Sequence, residues 1–303
     1  MDKRKFSKPA LSISRQIELL KGRGLAIADE ERAKRYLNTV GYYRLSGYMF
    51  SFLRDTQNHV YKEGASFDNV LDLYFFDREL RLLVFSAIEK IEIAFRAQIV
   101  QRFSESLENP FWLNDASTFR GRGNFLDTTA SLVSTLNRSG DIFIKHFNEA
   151  YSDPFPPAWM IFETLQLGQL SRIFCGLKNC RAKQDIASFF GVTHQVLETW
   201  MHTLVYVRNI CAHHARLWNK VLRIKPMLPE KPARKWVEQK MANDKFFVAF
   251  CIAKYLLDAV APKNHFVQKF NALLEKHPSV NLANMGFFEG WEDEPLLSEN
   301  KNS

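Results

Sequence analysis

From Asp68 to roughly residue 104, apolar residues keep a helical period without interruption. Ile88, Ile91, Phe95 and Ile99 follow one another at spacings of 3, 4 and 4. A helix that long carries an apolar stripe that it cannot bury alone, so the rest of the chain must supply helices to cover it. The same period returns through most of the 303 residues, and 26 Phe against 13 Gly suit packed helices better than a turn-rich β-protein. The expected fold class is therefore all-α. Glu89, Glu92 and Arg96 fall on the face beside the apolar stripe, within a roughly 60° arc. They read either as an intrahelical ion pair or as acids that steady a more distant arginine.

Other elements follow from local signals. A short helix over residues 14–20 ends at Gly22 and Gly24, and Asp29 caps a second that runs to about Val40 with Glu30 and Glu31 in its first turn. The stretch Gly41–Tyr48, aromatic and basic between two glycines, reads as a compact turn. Residues 56–66 suit a short hairpin, 104–124 a loop, 125–136 a helix and 158–177 another. Thr193 caps the next helix, and Pro226 to Pro232 closes the region beyond it. A final amphipathic helix pair follows. The expected division is an N-terminal helical and turn element over 1–62, a helical core over 63–225, C-terminal helices over 226–288 and an acidic flexible tail over 289–303.

The formal net charge of +8 favours a polyanionic partner. Lys3, Arg4, Lys5 and Lys8 crowd one end, and Glu289, Glu292, Asp293, Glu294 and Glu299 the other, as two solvated tails. Met1 to Ala10 is basic with no apolar run behind it, and Phe246 to Ala261, the most apolar stretch, is interrupted by Lys254 and Asp258. No membrane association is expected, and the location expected is cytoplasmic. Cys175, Cys180, Cys211 and Cys251 form no disulfide framework, and no Cys/His pair completes a zinc site with the first two, so no metal and no cofactor is expected.

Laid on a helical wheel, residues 195–219 place Leu197, Trp200, Leu204, Val207, Cys211, Ala215 and Trp218 on one side. His202, Tyr206, Asn209, His213 and Arg216 share the other, within about 80°. Ordinary helix surface prefers Glu, Lys and Gln, so this face is a candidate site.

The segment from Arg208 to His213 resembles the Arg-x4-His motif of HEPN nucleases, which are helical RNases. The wider pattern resembles the abortive-infection (Abi) family, in its AbiD/AbiF group. It is carried by Gly41–Tyr48, by Phe76-Asp77-Arg78 with Leu80-Arg81, and by Ile88-Glu89 with Ile91-Glu92 and Arg96. Pro157-x-Trp159 with Glu163 and Gly168-x-Leu170-Ser171 complete it, and the match runs from about Ser14 to Asn219. The resemblance implies a HEPN-like antiparallel helical bundle and a metal-independent endoribonuclease, acting as a homodimer in phage defence. Its catalytic residues would be Arg208, Asn209 and His213.

These residue types suit RNA cleavage. The ribose 2′-OH is a nucleophile already present in the substrate. An imidazole can take its proton or give one to the leaving 5′-oxygen. Arg208 can offset charge on the phosphorane, and Asn209 can bond a phosphate oxygen or fix the His213 tautomer. One difficulty is geometric: positions i and i+5 lie about 140° apart on a straight helix. Either the arginine swings across, or two copies of the helix face each other about a two-fold axis, the preferred solution. Glu89, Glu92, Arg96, Glu163 and His214 are candidates for support. Tyr43, Arg44, Arg120, Arg122 and Arg216 are candidates for holding RNA, against plainer readings as packed turn or surface loop. Two rivals stand beside the nuclease: a non-catalytic RNA-binding protein of a defence or toxin–antitoxin system, and a regulator using residues 14–40 as a helix-turn-helix. Duplex DNA is not the expected partner, and a restraining RNA is.

Overall fold

The computed structural model describes Lys5 and residues 9–298. Lys3, Arg4 and Lys8 of the basic cluster, and Glu299 of the acidic one, lie outside the described residues. The fold is all-α with one two-stranded hairpin. The chain divides into two compact units, one formed by residues up to Leu80 with Asn271–Val280, the other by Arg81–Phe270 with the chain from Asn281 onward.

The first unit begins with α1 (Ile13–Gly22) and α2 (Glu30–Thr39). Asp29 caps α2 by accepting the Arg32 N–H at 2.8 Å, a contact worth about 1 kcal/mol. Gly41–Tyr48 is not a turn but the body of a third helix, α3 (Tyr42–Met49). Gly41, with φ +90°, is the bend that lets α3 start so soon after α2. Leu45, Tyr48 and Met49 are buried, and the Tyr48 hydroxyl donates to Asp77 Oδ2 at 2.6 Å. The hairpin pairs β1 (Leu53–Asp55) with β2 (Val60–Tyr61), slightly ahead of the stretch expected for it. Residues 271–280 are tied to the same unit by His277 Nδ1, 2.6 Å from Asp72 Oδ1, and by the Ser279 hydroxyl, which donates to Asp72 Oδ2 at 3.0 Å.

The long helix is α4 (Phe67–Leu107), which passes from the first unit into the second. Ile88, Ile91, Phe95 and Ile99 are all fully buried. The second unit continues with α5 (Arg122–Leu136), α6 (Ile142–Ala150), α7 (Ala158–Glu163), α8 (Leu167–Gly176), α9 (Arg181–Phe189), α10 (His194–Ala212) and α11 (Phe246–Val260), and α12 (Phe266–Lys276) leads back to the first unit. Phe95 meets Phe174 of α8 at 5.1 Å between ring centres. Gly168 of α8 faces Val205 of α10, where a Cβ would make an ordinary contact at 3.6 Å.

Three expectations are corrected here. The helix expected over 158–177 is two, because Gln166 and Gln169 form a reciprocal capping box that restarts the backbone as α8. The loop expected over 104–124 contains two short 3-10 turns, and α5 begins inside it at Arg122. The acidic stretch is no solvated tail through residue 298. Trp291, Leu296 and Leu297 are buried, Trp291 stands against Phe287 at 4.9 Å, and Glu294 accepts the backbone N–H of Glu238 at 2.7 Å.

Candidate active site

The start of α10 is fixed by the residues before it. At Gly191, φ is +74° and a Cβ would meet Arg234 Nη1 at 2.8 Å and Tyr255 Oη at 2.9 Å, so only glycine fits. The Tyr255 hydroxyl donates to the Gly191 carbonyl at 2.7 Å, and Arg234 Nη2 donates to the Phe190 carbonyl at 2.9 Å. Thr193 caps the helix by accepting the Val196 N–H at 3.4 Å. Leu197, Trp200, Leu204, Val207 and Cys211 are buried, and Trp200 Nε1 donates to the Met227 carbonyl at 2.8 Å.

α10 stops at Ala212, short of the wheel drawn to residue 219. His213 is the cap and His214 takes a left-handed φ of +54°. The Ala215 N–H bonds the Ile210 carbonyl at 2.9 Å and the His214 N–H the Cys211 carbonyl at 3.1 Å, the paired bonds of a Schellman ending. Arg81 of α4, itself buried, donates from Nη1 to the Ala215 carbonyl at 3.4 Å and pins the departing chain. Arg216 is therefore not on the polar face of the helix as the wheel placed it, and Ala215 and Trp218 are off the apolar one. The polar face that remains is His202, Tyr206 and Asn209, with His213 at its end. Asn209, His213 and His214 are exposed.

Arg208 is sheltered at the side of this face. Its Nη2 lies 3.9 Å from Glu92 Oε2, and its Nη1 donates to Asn209 Oδ1 at 3.2 Å. The other oxygen of Glu92 faces Arg96 Nη2 at 3.4 Å. Arg96 continues to Glu163 Oε2 at 3.6 Å and donates to the Leu165 carbonyl at 3.0 Å, where α7 breaks before α8. Charges thus alternate from Arg208 through Glu92 and Arg96 to Glu163, joining α10, α4 and α7. Side-chain exposures of 22%, 16% and 18% for Arg208, Glu92 and Arg96 shelter the inner pairs from salt better than surface pairs. The intrahelical contact of Glu92 and its contact to Arg208 are both present. Glu89 is exposed on the rim of a shallow notch of about 290 Å³, floored by Glu92, Arg96 and Arg208 and flanked by Phe85 and Ile93.

The remaining candidates lie elsewhere. Tyr43, 93% exposed, and Arg44 stand on α3 in the first unit. Arg122 is exposed at the first position of α5. Arg120 is not in a free loop: its Nε donates to the Leu177 carbonyl at 3.1 Å and its guanidinium pairs with Glu198. That carboxylate also holds Lys183, which is fully buried with Nζ 2.7 Å from Glu198 Oε1 and 2.9 Å from the Leu177 carbonyl. Burial pushes the Lys183 ammonium below its ordinary value, and Glu198 opposes this. Sequence reasoning missed this cluster. The signal was that Lys183 shares the inward face of α9 with Ile186 and Ala187.

A family model described as Abi-like protein matches residues 35–219, well over half of the chain. The chain belongs to the Abi-like family. No curated protein and no solved structure matches it. The Abi-like region begins within α2, takes in every residue of the Arg208 notch and ends just past the cap of α10, leaving α11 and α12 outside. Membership of the Abi-like family points to abortive infection, a form of phage defence. No helix among the described residues is long and apolar enough to cross a membrane.

Proposed function

We propose that this protein is a HEPN-type endoribonuclease of abortive infection that cuts RNA by 2′-OH attack. The observation that carries the reading is the Arg208 guanidinium, held half-sheltered by Glu92 and Asn209 in the last turns of the helix that the exposed His213 caps. A fixed cation and a solvent-reachable imidazole are what a phosphorane and its proton transfers need, and facing copies of the helix end bring the two kinds of group to one phosphate. Arg208 neutralises charge growing on the phosphate, Asn209 orients it, and His213 moves the proton. The 2′-oxygen forms a bond to phosphorus as the bond to the 5′-oxygen breaks. The products are a 2′,3′-cyclic phosphate and a 5′-hydroxyl, and the attack calls for no metal.

One chain carries one Arg208-to-His213 motif, and the reaction uses an acid and a base. A second copy supplies the other. On α4, Leu82, Phe85 and Ile93 are 59%, 39% and 56% exposed and lie with Glu89 along one face beside the notch. Covering that face with its two-fold equivalent removes apolar surface from water and brings two α10 ends together. Ile93→Glu is expected to give a monomer by light scattering and to lose RNA cleavage with it. Glu92→Ala, which releases Arg208, is expected to lower the cleavage rate about 100-fold, the scale of a misplaced reacting group, while the dimer persists.

The direct experiment incubates the protein with total RNA and a chelator and analyses the fragment ends. Cyclic-phosphate ends formed in the chelator support the reading. A strict need for a divalent ion, or 3′-hydroxyl ends, overturns it. Tyr43, Arg44, Arg122 and a restraining RNA partner belong to the same proposal as accessory contacts.

A further inference from the structure

Between α5 and α8 the second unit carries two adjoining hollows, of about 510 and about 750 Å³, which share Ser131, Gln169 and Arg172 as lining. Together they form one groove. Its walls are unusual in being built from hydroxyl, amide and guanidinium groups. Gln169 Nε2 spans it, donating to Ser131 Oγ at 3.1 Å and Thr135 Oγ1 at 2.8 Å. Arg138 stands at one end, braced by its bond to the Ser134 carbonyl at 2.8 Å, and Arg120 at the other, braced on the Leu177 carbonyl. Between them Arg172 is exposed and has no hydrogen-bond or ion-pair partner among the described residues. Asp127 and Asp141 also line the walls and Arg120 is paired with Glu198, so Arg138 and Arg172 are the groove arginines without an ion-pair partner among the described residues.

The α10 end of the groove is lined by His202. His202, Tyr206, Asn209 and His213 follow one another at spacings of 4, 3 and 4, so a single face of α10 runs from the groove toward the notch. The distance along the helix from His202 to His213 is about 16 Å at 1.5 Å per residue, a few nucleotides of extended strand.

We infer that this groove binds the ribose-phosphate backbone of single-stranded RNA and leads the strand along α10 to His213. Arginines spaced along the groove match successive phosphates, and hydroxyl and amide groups match the ribose 2′-OH and phosphate oxygens. The first hollow has no aromatic platform among its lining, so bases face outward and the grip is indifferent to sequence. The inference rests on the ribonuclease reading for its direction toward His213, but the groove is tested by binding alone.

The test uses the full chain carrying His213→Ala, so that the strand stays intact, and measures anisotropy of a labelled, mixed-sequence single-stranded RNA. Adding Arg138→Glu and Arg172→Glu is expected to weaken binding at least about tenfold near 0.1 M salt. It is also expected to flatten the slope of log affinity against log salt by about 0.7 for each lost contact. Lys269→Glu, on α12 away from the groove lining, is expected to change affinity less than about twofold, as a rim-charge effect on net charge alone. Arg172→Ala serves as a second variant, because an exposed side chain without a partner can be truncated without unfolding the chain. Unchanged affinity in both groove variants, equal loss in Lys269→Glu, or no RNA binding at all would overturn the inference. Binding through the groove by a protein that cuts nothing would leave the groove standing and remove the ribonuclease. Full affinity in the groove variants, with full cutting when the same groove substitutions are made in the chain that keeps His213, would do the reverse.

Discussion

His213→Ala is expected to slow RNA cleavage by about 10²- to 10⁴-fold, the contribution of one positioned acid or base, while RNA binding stays within a few-fold. The reason is the place of His213 in the fold. Its backbone N–H bonds the Asn209 carbonyl at 3.0 Å and so closes α10, a bond that alanine keeps. Its ring is exposed and is not part of the chain of charges from Arg208 to Glu163. The substitution therefore removes a proton carrier and little else, and the melting midpoint is expected to move by no more than a couple of degrees. Arg208→Ala differs: it removes the cation that meets the phosphate and also leaves Glu92 with Arg96 alone, so activity and affinity fall together. Initial rates on a defined RNA, with affinities measured beside them, separate the two patterns. A wild-type rate in His213→Ala places the chemistry on another residue.

The largest effect on stability is expected at Glu198, far from the proposed chemistry. Lys183 has no solvent contact; its ammonium is held by Glu198, by the Leu177 carbonyl and by the face of Phe174 at 4.8 Å. Glu198→Ala leaves that charge buried with one carbonyl and one ring. Breaking a buried pair from one side costs about 3–5 kcal/mol, far more than a surface pair is worth. For a unit of this size the melting midpoint is expected to fall on the order of 10 °C. The Lys183→Met/Glu198→Ala double variant removes both charges, and it is expected to regain part of the loss because no uncompensated ion remains. Thermal unfolding followed by circular dichroism measures both. A shift below about 2 °C in Glu198→Ala would mean that water reaches the Lys183 ammonium.

Periodicity made the helices visible, and it failed where polar groups decide the backbone. The apolar stripe of α4 and the inward face of α10 follow directly from spacing, because burial of those faces is what fixes the helices. α3 was hidden by its two glycines: Gly41 supplies the positive φ before the helix, and Gly47 is carried within it. The break between α7 and α8 is made by glutamine side chains bonding to backbone and by Arg96 reaching the Leu165 carbonyl, which no apolar pattern records. The end of α10 at Ala212 was missed for a related reason. Its Schellman turn uses a histidine at the left-handed position where sequence reading looks for glycine. The helices α6 and α9 are short, and no expectation covered them. Spacing placed Glu92 and Arg208 each on a face of its own helix, but their 3.9 Å approach depends on how α4 packs with α10 and is a property of the fold.

The reaction proposed here depends on one atom of the substrate, the 2′-oxygen beside the scissile phosphate. Once the cut is mapped on a short RNA, the same RNA is made with a single 2′-deoxynucleotide on the 5′ side of that phosphate. Cleavage at that bond is expected to cease, with binding unchanged and cuts at other positions retained. Continued cutting at the deoxy position would show that the nucleophile comes from elsewhere, and would contradict the role assigned to Arg208 and His213.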